Sequence, residues 1–474
     1  MIKNNKPIHI LRYGTVAEKV HLEKAISSYD YLSINGNSAA YVSSAIAKFV
    51  VEKFFSKPDK GYFIDPITYA FQDKIELLWS KSKATGEENI KKSVKKLIET
   101  YKFPATKAES KAQINVTDFD DAKMDAFCHN VLSFQYNLVY DHINQNDLQK
   151  YLDYISPEQS KNLPQLRPKF LIAPYFYLDP QDTDFQEWLR LNVEFLKMSV
   201  SKSVADFSRI DIFGQIVLNK SILFNSDLIE KITNAYSNID CAGFTIWVDD
   251  LNEHEASKEE LEGFVTFLRK MKEKNQKPIF NMYGGYFSIL LAHKDLKLLS
   301  GVSHGLEYGE TRKVYPVGGG IPVSKYYYYP LHQRTDFTKA FYLLEHADIV
   351  DLQKDNWGTT EKYFSEICKC EQCKKIMGKE MINFVEFESR EFYEVKRKDQ
   401  ILRRKKASSD TKQNCLYHYL LCKKIEFSSL SKFPLNALID ELYNSGLLYA
   451  DCMSVKEDEL AYTKIWRDVL SKKQ

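Results

Sequence analysis

The chain lacks any uninterrupted apolar run approaching the roughly 18 residues that a membrane-spanning helix needs. Its start, Met1-Ile2-Lys3-Asn4-Asn5-Lys6, leads into a short apolar stretch and not into a signal-type region. The expectation is a cytoplasmic protein with no membrane segment. Net charge is nearly absent as well: 66 basic against 64 acidic residues leave +2 at neutral pH. No global field therefore announces a polyanionic partner, and any nucleic-acid surface must be a local patch. Cysteine is scarce, eight in 474 residues, and reduced thiols fit the cytoplasm.

What is present is enough chain to bury a large core. At 474 residues and 44% hydrophobic content, one large domain with additions, or two domains, is expected. The thirty tyrosines suit base stacking, although residues of this kind mostly serve as half-buried packing.

Three of the eight cysteines crowd into Cys368-Lys369-Cys370-Glu371-Gln372-Cys373. Thiolates so close repel one another, whereas a tetrahedral Zn²⁺ neutralises them and accepts sulfur at about 2.3 Å. Downstream, Cys415-Leu416-Tyr417-His418 offers a fourth ligand. His418 is preferred because Cys3His closes a structural site, with Cys415 as the alternative. A surface cluster or a disulfide is the competing reading. A zinc hydrolase fits poorly, since catalytic zinc keeps an open position.

Short apolar runs alternate with helical periodicity along the chain. Pro7 to Leu11, Tyr31 to Asn35 and Gly61 to Asp65 read as three strands; Lys169 to Tyr175, Ile210 to Leu218, Gly243 to Val248, Pro278 to Met282 and Gly301 to His304 read as five more. Helices expected between them include one from Ser38 to Phe55, with Ser38 as its N-cap, and one from Ser257 to Lys274. Residues 67–165 break the rhythm and read as a helical insertion after strand three. Eight strands with intervening helices predict a (β/α)₈ TIM barrel. The expected division is a barrel over 1–345, a zinc-binding module with the last barrel helix over 346–430, and a helical extension over 431–474.

In such a barrel, chemistry sits at the carboxyl ends of the strands. Asp65, Asp179, Asp249, Asp250, Glu307 and Glu310 lie there, able to supply a base, a nucleophile and acceptors for a nucleobase edge. Aspartate after a strand is also a common cap or turn former, the better reading for Asp179 and Asp250. Pro66 stiffens the turn that presents Asp65.

The motifs together resemble the tRNA-guanine transglycosylase family, which swaps a guanine base for a 7-deazaguanine. A barrel with C-x-C-x2-C and a later histidine after strand eight is that family's arrangement. Tyr62 to Gln72 resembles its T-D-S-G-G-F-Q segment, with Asp65 at the base-site aspartate and Phe71-Gln72 at F-Q. Phe213 to Val217 is similar to its F-G-I-V-Q strand, Ala242 to Ile246 to its G-Y-A-I, and Lys277 to Tyr283 and Gly301 to Arg312 to the two segments that follow. The resemblance implies a carboxylate nucleophile attacking C1′ of a ribose, with Asp65 as acid/base. It implies a substrate pocket among Phe71, Gln72, Gln215, Asp249 and Tyr283, a structural zinc, a tRNA or DNA substrate, a 7-deazaguanine-type base, and a homodimer or a partner from an anti-phage defence operon; His304, at the end of strand eight, is either a further pocket residue or, more commonly for such a position, a satisfied buried imidazole.

Three departures qualify it. Leu306 stands where the family has its nucleophilic aspartate, so Glu307, one place on, is the expected nucleophile, with Glu310 in reserve. Trp247-Val248-Asp249-Asp250-Leu251 replaces a glycine-rich turn. The 44 residues between Cys373 and His418 exceed the family's connection and carry Lys396-Arg397-Lys398 and Arg403-Arg404-Lys405-Lys406, cations that either track a phosphate backbone or form a solvated face. A further segment, Val314 to Arg334, holds Gly318-Gly319-Gly320, four tyrosines, His332 and Arg334. It is either a ligand clamp meeting phosphate or a β-hairpin with alternating tyrosines. The alternative to catalysis is a lapsed barrel that binds nucleic acid or a partner protein.

Overall fold

Eight short apolar segments form one parallel sheet in the computed structural model, which describes residues 6–14, 16–54, 57, 59–82, 85–144, 146, 148–149, 166–306, 309–316, 324–351, 358–397 and 400–471. They are β1 (Ile8–Arg12), β2 (Tyr31–Asn35), β3 (Gly61–Asp65), β4 (Leu171–Ile172), β5 (Ile212–Leu218), β6 (Gly243–Val248), β7 (Ile279–Asn281) and β8 (Gly301–His304). Their hydrogen-bonded order is β3-β2-β1-β8-β7-β6-β5-β4. Each strand lies beside its sequence neighbour, and β1 pairs with β8. A two-residue piece, Tyr177–Leu178, pairs with β5 further along and continues β4. The sheet is curled enough that rings from distant strands meet inside it: Phe63 stacks on Phe170 at 4.5 Å, Phe170 on Phe213 at 4.0 Å, and Phe213 on Phe280 at 5.3 Å.

Among the described residues no backbone ladder joins β3 to β4, and the sheet is a curled half-barrel of eight parallel strands. The reason lies in side chains that occupy the seam. Gln135, fully buried in the helix Asp121–His142, accepts the Ile172 N–H at 2.9 Å and donates to the Ile172 carbonyl at 2.8 Å. Further up, Tyr175 donates its N–H to Thr68 Oγ1 at 2.9 Å. The Gln72 amide takes both backbone groups of Tyr177, at 2.7 and 3.0 Å. A direct bond from Lys169 N–H to the Tyr62 carbonyl, 2.8 Å, crosses the gap.

The insertion after β3 contains the helices Lys92–Tyr101 and Asp121–His142, and also a hairpin of Trp79–Lys81 with Glu88–Ile90 that helical periodicity did not reveal. The helix expected over 38–55 is two, Gly36–Tyr41 and Ser43–Phe54. Its cap is Asn35, whose side chain accepts the Asn37 N–H at 3.1 Å, rather than Ser38. Ser257 does cap the helix Lys258–Asn275, in a reciprocal box with Glu260 at 3.2 and 2.8 Å.

Beyond β8 the chain makes a long excursion containing an antiparallel pair, β9 (Tyr326–Tyr328) with β10 (Gln333–Thr335), and a second, β11 (Glu391–Arg397) with β12 (Gln400–Lys406). It returns through the helix Ser409–Ser429, which packs beside the helices Val16–Lys24 and Tyr286–Leu291. The final helices, Leu435–Tyr449 and Ala461–Ser471, pack on each other, and Trp466 donates to the Glu253 carbonyl at 3.0 Å. Among the described residues, no helix is long and apolar enough to cross a membrane.

Candidate metal centre and acidic sites

Three thiols arrive from the excursion and an imidazole from the returning helix. Cys370 caps the short helix Glu371–Met377, which turns Cys373 back toward it. One donor atom each from Cys368, Cys370, Cys373 and His418 lies within 4.8 Å of the others, and all four residues are buried. His418 Nδ1 stands 3.3 Å from Cys370 Sγ and 3.2 Å from Cys373 Sγ. Its Nε2 donates to the Tyr327 carbonyl at 2.7 Å, which leaves Nδ1 free to coordinate. Tyr326 stacks on the same ring at 4.5 Å. A tetrahedral ion with bonds of about 2.3 Å needs donors about 3.8 Å apart, so the four residues can hold a metal ion. Burial works to lower His418, but the adjacent Cys370 and Cys368 raise it to about 10, the field that a cation at the centre would relieve.

The alternative ligand Cys415 is turned away, its Sγ 3.6 Å from the Phe387 carbonyl. A residue the spacing did not single out, Cys422, is at the centre instead. It is fully buried, with Sγ 3.7 Å from Cys368 Sγ and 3.6 Å from His418 Nδ1. Its position four residues after His418 on one helix was the available signal.

The carboxyl ends of the strands carry a second cluster. Asp65 is 3% exposed and accepts from the Tyr175 hydroxyl at 2.5 Å and the Ile67 N–H at 3.1 Å. Burial pushes its carboxyl up, against those hydrogen bonds and the charges of Arg312 and Arg12. Arg12 lies 4.6 Å over the Tyr283 ring, and Arg312 donates to the Tyr283 hydroxyl at 3.0 Å. Asp249 accepts from the Val314 N–H at 2.7 Å and the Tyr177 hydroxyl at 3.0 Å, and so fastens the segment after β8 across this end. Below it, Gln215 accepts from Thr245 at 3.0 Å, while its Nε2 is buried with no hydrogen-bond partner. Asp179 and Asp250 fill turn positions: Asp179 accepts the Gln181 N–H at 3.0 Å, and Asp250 has a left-handed backbone, φ 53°.

Glu310 belongs to neither cluster. It sits in a cavity of about 1120 Å³ bounded by residues 252–256, the segment after β8, Arg334, the foot of β12 and the last helix. Its Oε1 accepts from Lys423 at 2.7 Å and Tyr419 at 2.9 Å. Its Oε2 and that of Glu253 both lie close to where a Cβ on Gly285 would stand, so a side chain there would push the two carboxylates aside. Burial would raise Glu310, but Lys423, His254 and Arg334 hold it below the usual carboxylate range. Burial, with Glu310 alongside, pushes Glu253 up to about 7 against the Ser288 hydrogen bond. Glu253, Lys423 and Glu426 were not singled out from the sequence, having no local motif.

Several residues expected to meet substrate have other work. Gln72 is saturated by Tyr177, as described above, and Phe71 is core, packed edge-on to Tyr101. His304 is buried, with Nε2 2.9 Å from His9 Nε2; burial lowers both rings, so the pair is neutral. His332 is corrected from a phosphate contact to a buried network member: its Nδ1 is 2.7 Å from Glu426 and its ring stacks on Tyr286 at 3.5 Å. Arg334 binds the Leu306 and Gly305 carbonyls at 2.6 and 2.9 Å and lies over Tyr419 at the cavity wall. Tyr326, Tyr327 and Tyr328 form a hairpin strand but are buried, so they offer no stacking platform. Glu307, Gly318-Gly319-Gly320 and Lys398 lie outside the described residues. The basic run lies on two strands: Lys396, Arg397, Arg403, Arg404, Lys405 and Lys406 all belong to β11 and β12.

Glu253 has a consequence for pH. Because its folded value of about 7 exceeds the ordinary value of 4.5, the native state binds more protons than the unfolded chain between these limits. Stability falls as pH rises through that window. Melting curves at pH 5 and 7.5 are expected to show wild type losing more stability than Glu253→Gln; parallel profiles would contradict this.

No protein-family model matches the chain, and no curated protein matches it significantly.

Proposed function

We propose that this protein is a transglycosylase-like enzyme that exchanges a guanine-type base in tRNA or DNA for a 7-deazaguanine. In this reading the curled sheet is a closed (β/α)₈ barrel zipped by side chains at one seam, and Cys368, Cys370, Cys373 and His418 hold a structural Zn²⁺. One observation carries most weight: a three-thiol, one-imidazole donor set joins the segment after β8 to the helix that follows it, on a sheet whose strand order is that of a (β/α)₈ ring. When bound, the zinc holds the excursion in place and takes no part in the reaction.

The chemistry asks for a nucleophile and a proton carrier. A carboxylate oxygen bonds to C1′ as the C1′–N9 bond breaks, its electron pair leaving with guanine, which takes a proton from Asp65. The incoming base returns a proton to Asp65, attacks C1′ and frees the carboxylate. Burial favours the protonated form of Asp65, which suits it to donate first. Leu306 is buried and carries no nucleophile, so the role falls to Glu307, with Glu310, kept ionised by Lys423, in reserve.

Labelled-guanine exchange into nucleic acid tests this. Asp65→Asn is expected to lose at least about a hundredfold in rate. Whichever of Glu307→Gln and Glu310→Gln abolishes the denaturation-resistant adduct identifies the nucleophile, and full exchange by all three variants overturns the reading. The lapsed-barrel alternative is favoured by the filling of the Asp65 site with Arg12, Arg312, Tyr69, Tyr175, Tyr283 and Trp247. Nucleic-acid binding by a wild type that exchanges nothing would select it.

A further inference from the structure

The ribbon β11–β12 packs chiefly on itself. Its strands, seven residues each, pair along their whole length, from Glu391 opposite Lys406 to Arg397 opposite Gln400. Successive side chains alternate between two faces. Both faces are open: Phe392 is 47% and Ile401 60% exposed, and Glu391, Glu394, Arg403, Lys405 and Lys406 are exposed too. A lone two-stranded hairpin is marginal in water, and apolar side chains exposed on one point to a partner. Charge names its sign. The strands carry Lys396, Arg397, Arg403, Arg404, Lys405 and Lys406 against Glu391 and Glu394, and the Arg403 guanidinium lies 4.4 Å over the Phe392 ring. The register puts Phe392 and Glu394 on one face with Lys405, Arg403 and Ile401, and puts Glu391 and Lys406 on the other.

We infer that β11–β12 is a docking arm for duplex DNA, seated in the major groove with its basic side chains toward the phosphates. This rests on the nucleic-acid reading above and narrows it. A B-form major groove is about 12 Å wide and admits a two-stranded ribbon, whereas the major groove of A-form RNA is too deep and narrow for side chains to read. Single strands call for a one-sided aromatic platform in a basic groove, and the three consecutive tyrosines that would have made one, Tyr326 to Tyr328, are buried. Seven residues at about 3.3 Å each span roughly 23 Å, about two-thirds of a helical turn. At the ribbon's foot, Lys405 also lines the Glu310 cavity, whose walls carry both lysines and carboxylates.

Fluorescence anisotropy of the full-length protein with a labelled DNA duplex, the RNA duplex of the same sequence and the single strand tests this across a salt series. The DNA duplex is expected to bind about tenfold or more tighter than either. Combining Lys396→Ala, Arg403→Ala, Arg404→Ala and Lys405→Ala is expected to flatten the log K against log salt slope by about 3 to 4, near 0.9 per lost phosphate contact. Metal content and melting temperature should not change. A second variant, with a short Gly-Ser turn joining Arg390 to Ala407, should bind no better than the first. Preference for RNA or for the single strand, or a slope unchanged in both variants, overturns the inference. Base exchange that persists with ribbon-independent binding sinks the arm alone; ribbon-dependent DNA binding without exchange sinks the catalytic reading alone.

Discussion

Replacing Lys423 by methionine is expected to cost about 3 to 5 kcal/mol of stability at neutral pH, the range for breaking a buried ion pair from one side. Lys423 is fully buried. Its ammonium stands 2.7 Å from Glu310 Oε1 and 3.0 Å from Glu426 Oε2, and it donates to the Tyr327 hydroxyl at 3.0 Å. Glu426 in turn meets His332 at 2.7 Å and the Tyr327 hydroxyl at 2.5 Å, so one buried cation serves two carboxylates. Burial alone would raise Glu426; Lys423 first, and then His332, lower it to about 2. A carboxylate whose folded value is depressed contributes stability above its ordinary value of 4.5, and that stability is lost as pH falls toward 2. Urea titrations should therefore show a large penalty for Lys423→Met at pH 7 and a smaller one near pH 4, where the orphaned carboxyls protonate. Adding Glu426→Gln should recover part of the loss at pH 7. A penalty below about 1 kcal/mol, typical of exposed pairs, would mean that the network is not closed to water.

The second large effect belongs to the thiols. Cys373→Ser is expected to purify without metal and to lose the folded state of the excursion, because the free energy of metal binding at such a site is folding free energy, on the order of 10 kcal/mol in isolated modules. Cys373 Sγ is fully buried beside His418 and the Tyr363 hydroxyl, at 3.2 and 3.3 Å, so serine cannot preserve the contact set. Limited proteolysis should cut within 346–408 while the sheet survives. Cys415→Ser is the matched control, since that thiol faces a carbonyl outside the centre, and it should retain the metal. Full metal content in Cys373→Ser would contradict the assignment.

These two centres differ in how visible they were beforehand. The thiol cluster is a local motif, legible because C-x-C-x2-C acts within one turn of chain. Lys423 bridges carboxylates over a hundred residues apart, and no local pattern marks that. The eight strands were readable as apolar runs. The seam between β3 and β4 was not, because it is set by Gln135, Thr68 and Gln72, polar side chains far from the strand they hold. Gln72 shows the hazard of carrying a role over by motif: the residue matched, but its amide is committed to Tyr177. In the basic run, attention to charge hid the alternation of Phe392, Ile401 and their neighbours that makes the segment a ribbon. Glu310 was named for its place after β8, yet its partner Glu253 follows β6, and only the fold brings the two to Gly285.

X-ray absorption at the zinc edge of the purified protein tests most directly whether a metal ion joins the excursion to the returning helix. The expected spectrum is that of about one zinc per chain with three sulfur neighbours near 2.3 Å and one nitrogen at about 2.0 to 2.1 Å, unchanged by Cys415→Ser and Cys422→Ser and altered by His418→Ala. A protein that carries no zinc, or a four-sulfur shell that persists without His418 and disappears with Cys422→Ser, would contradict the account.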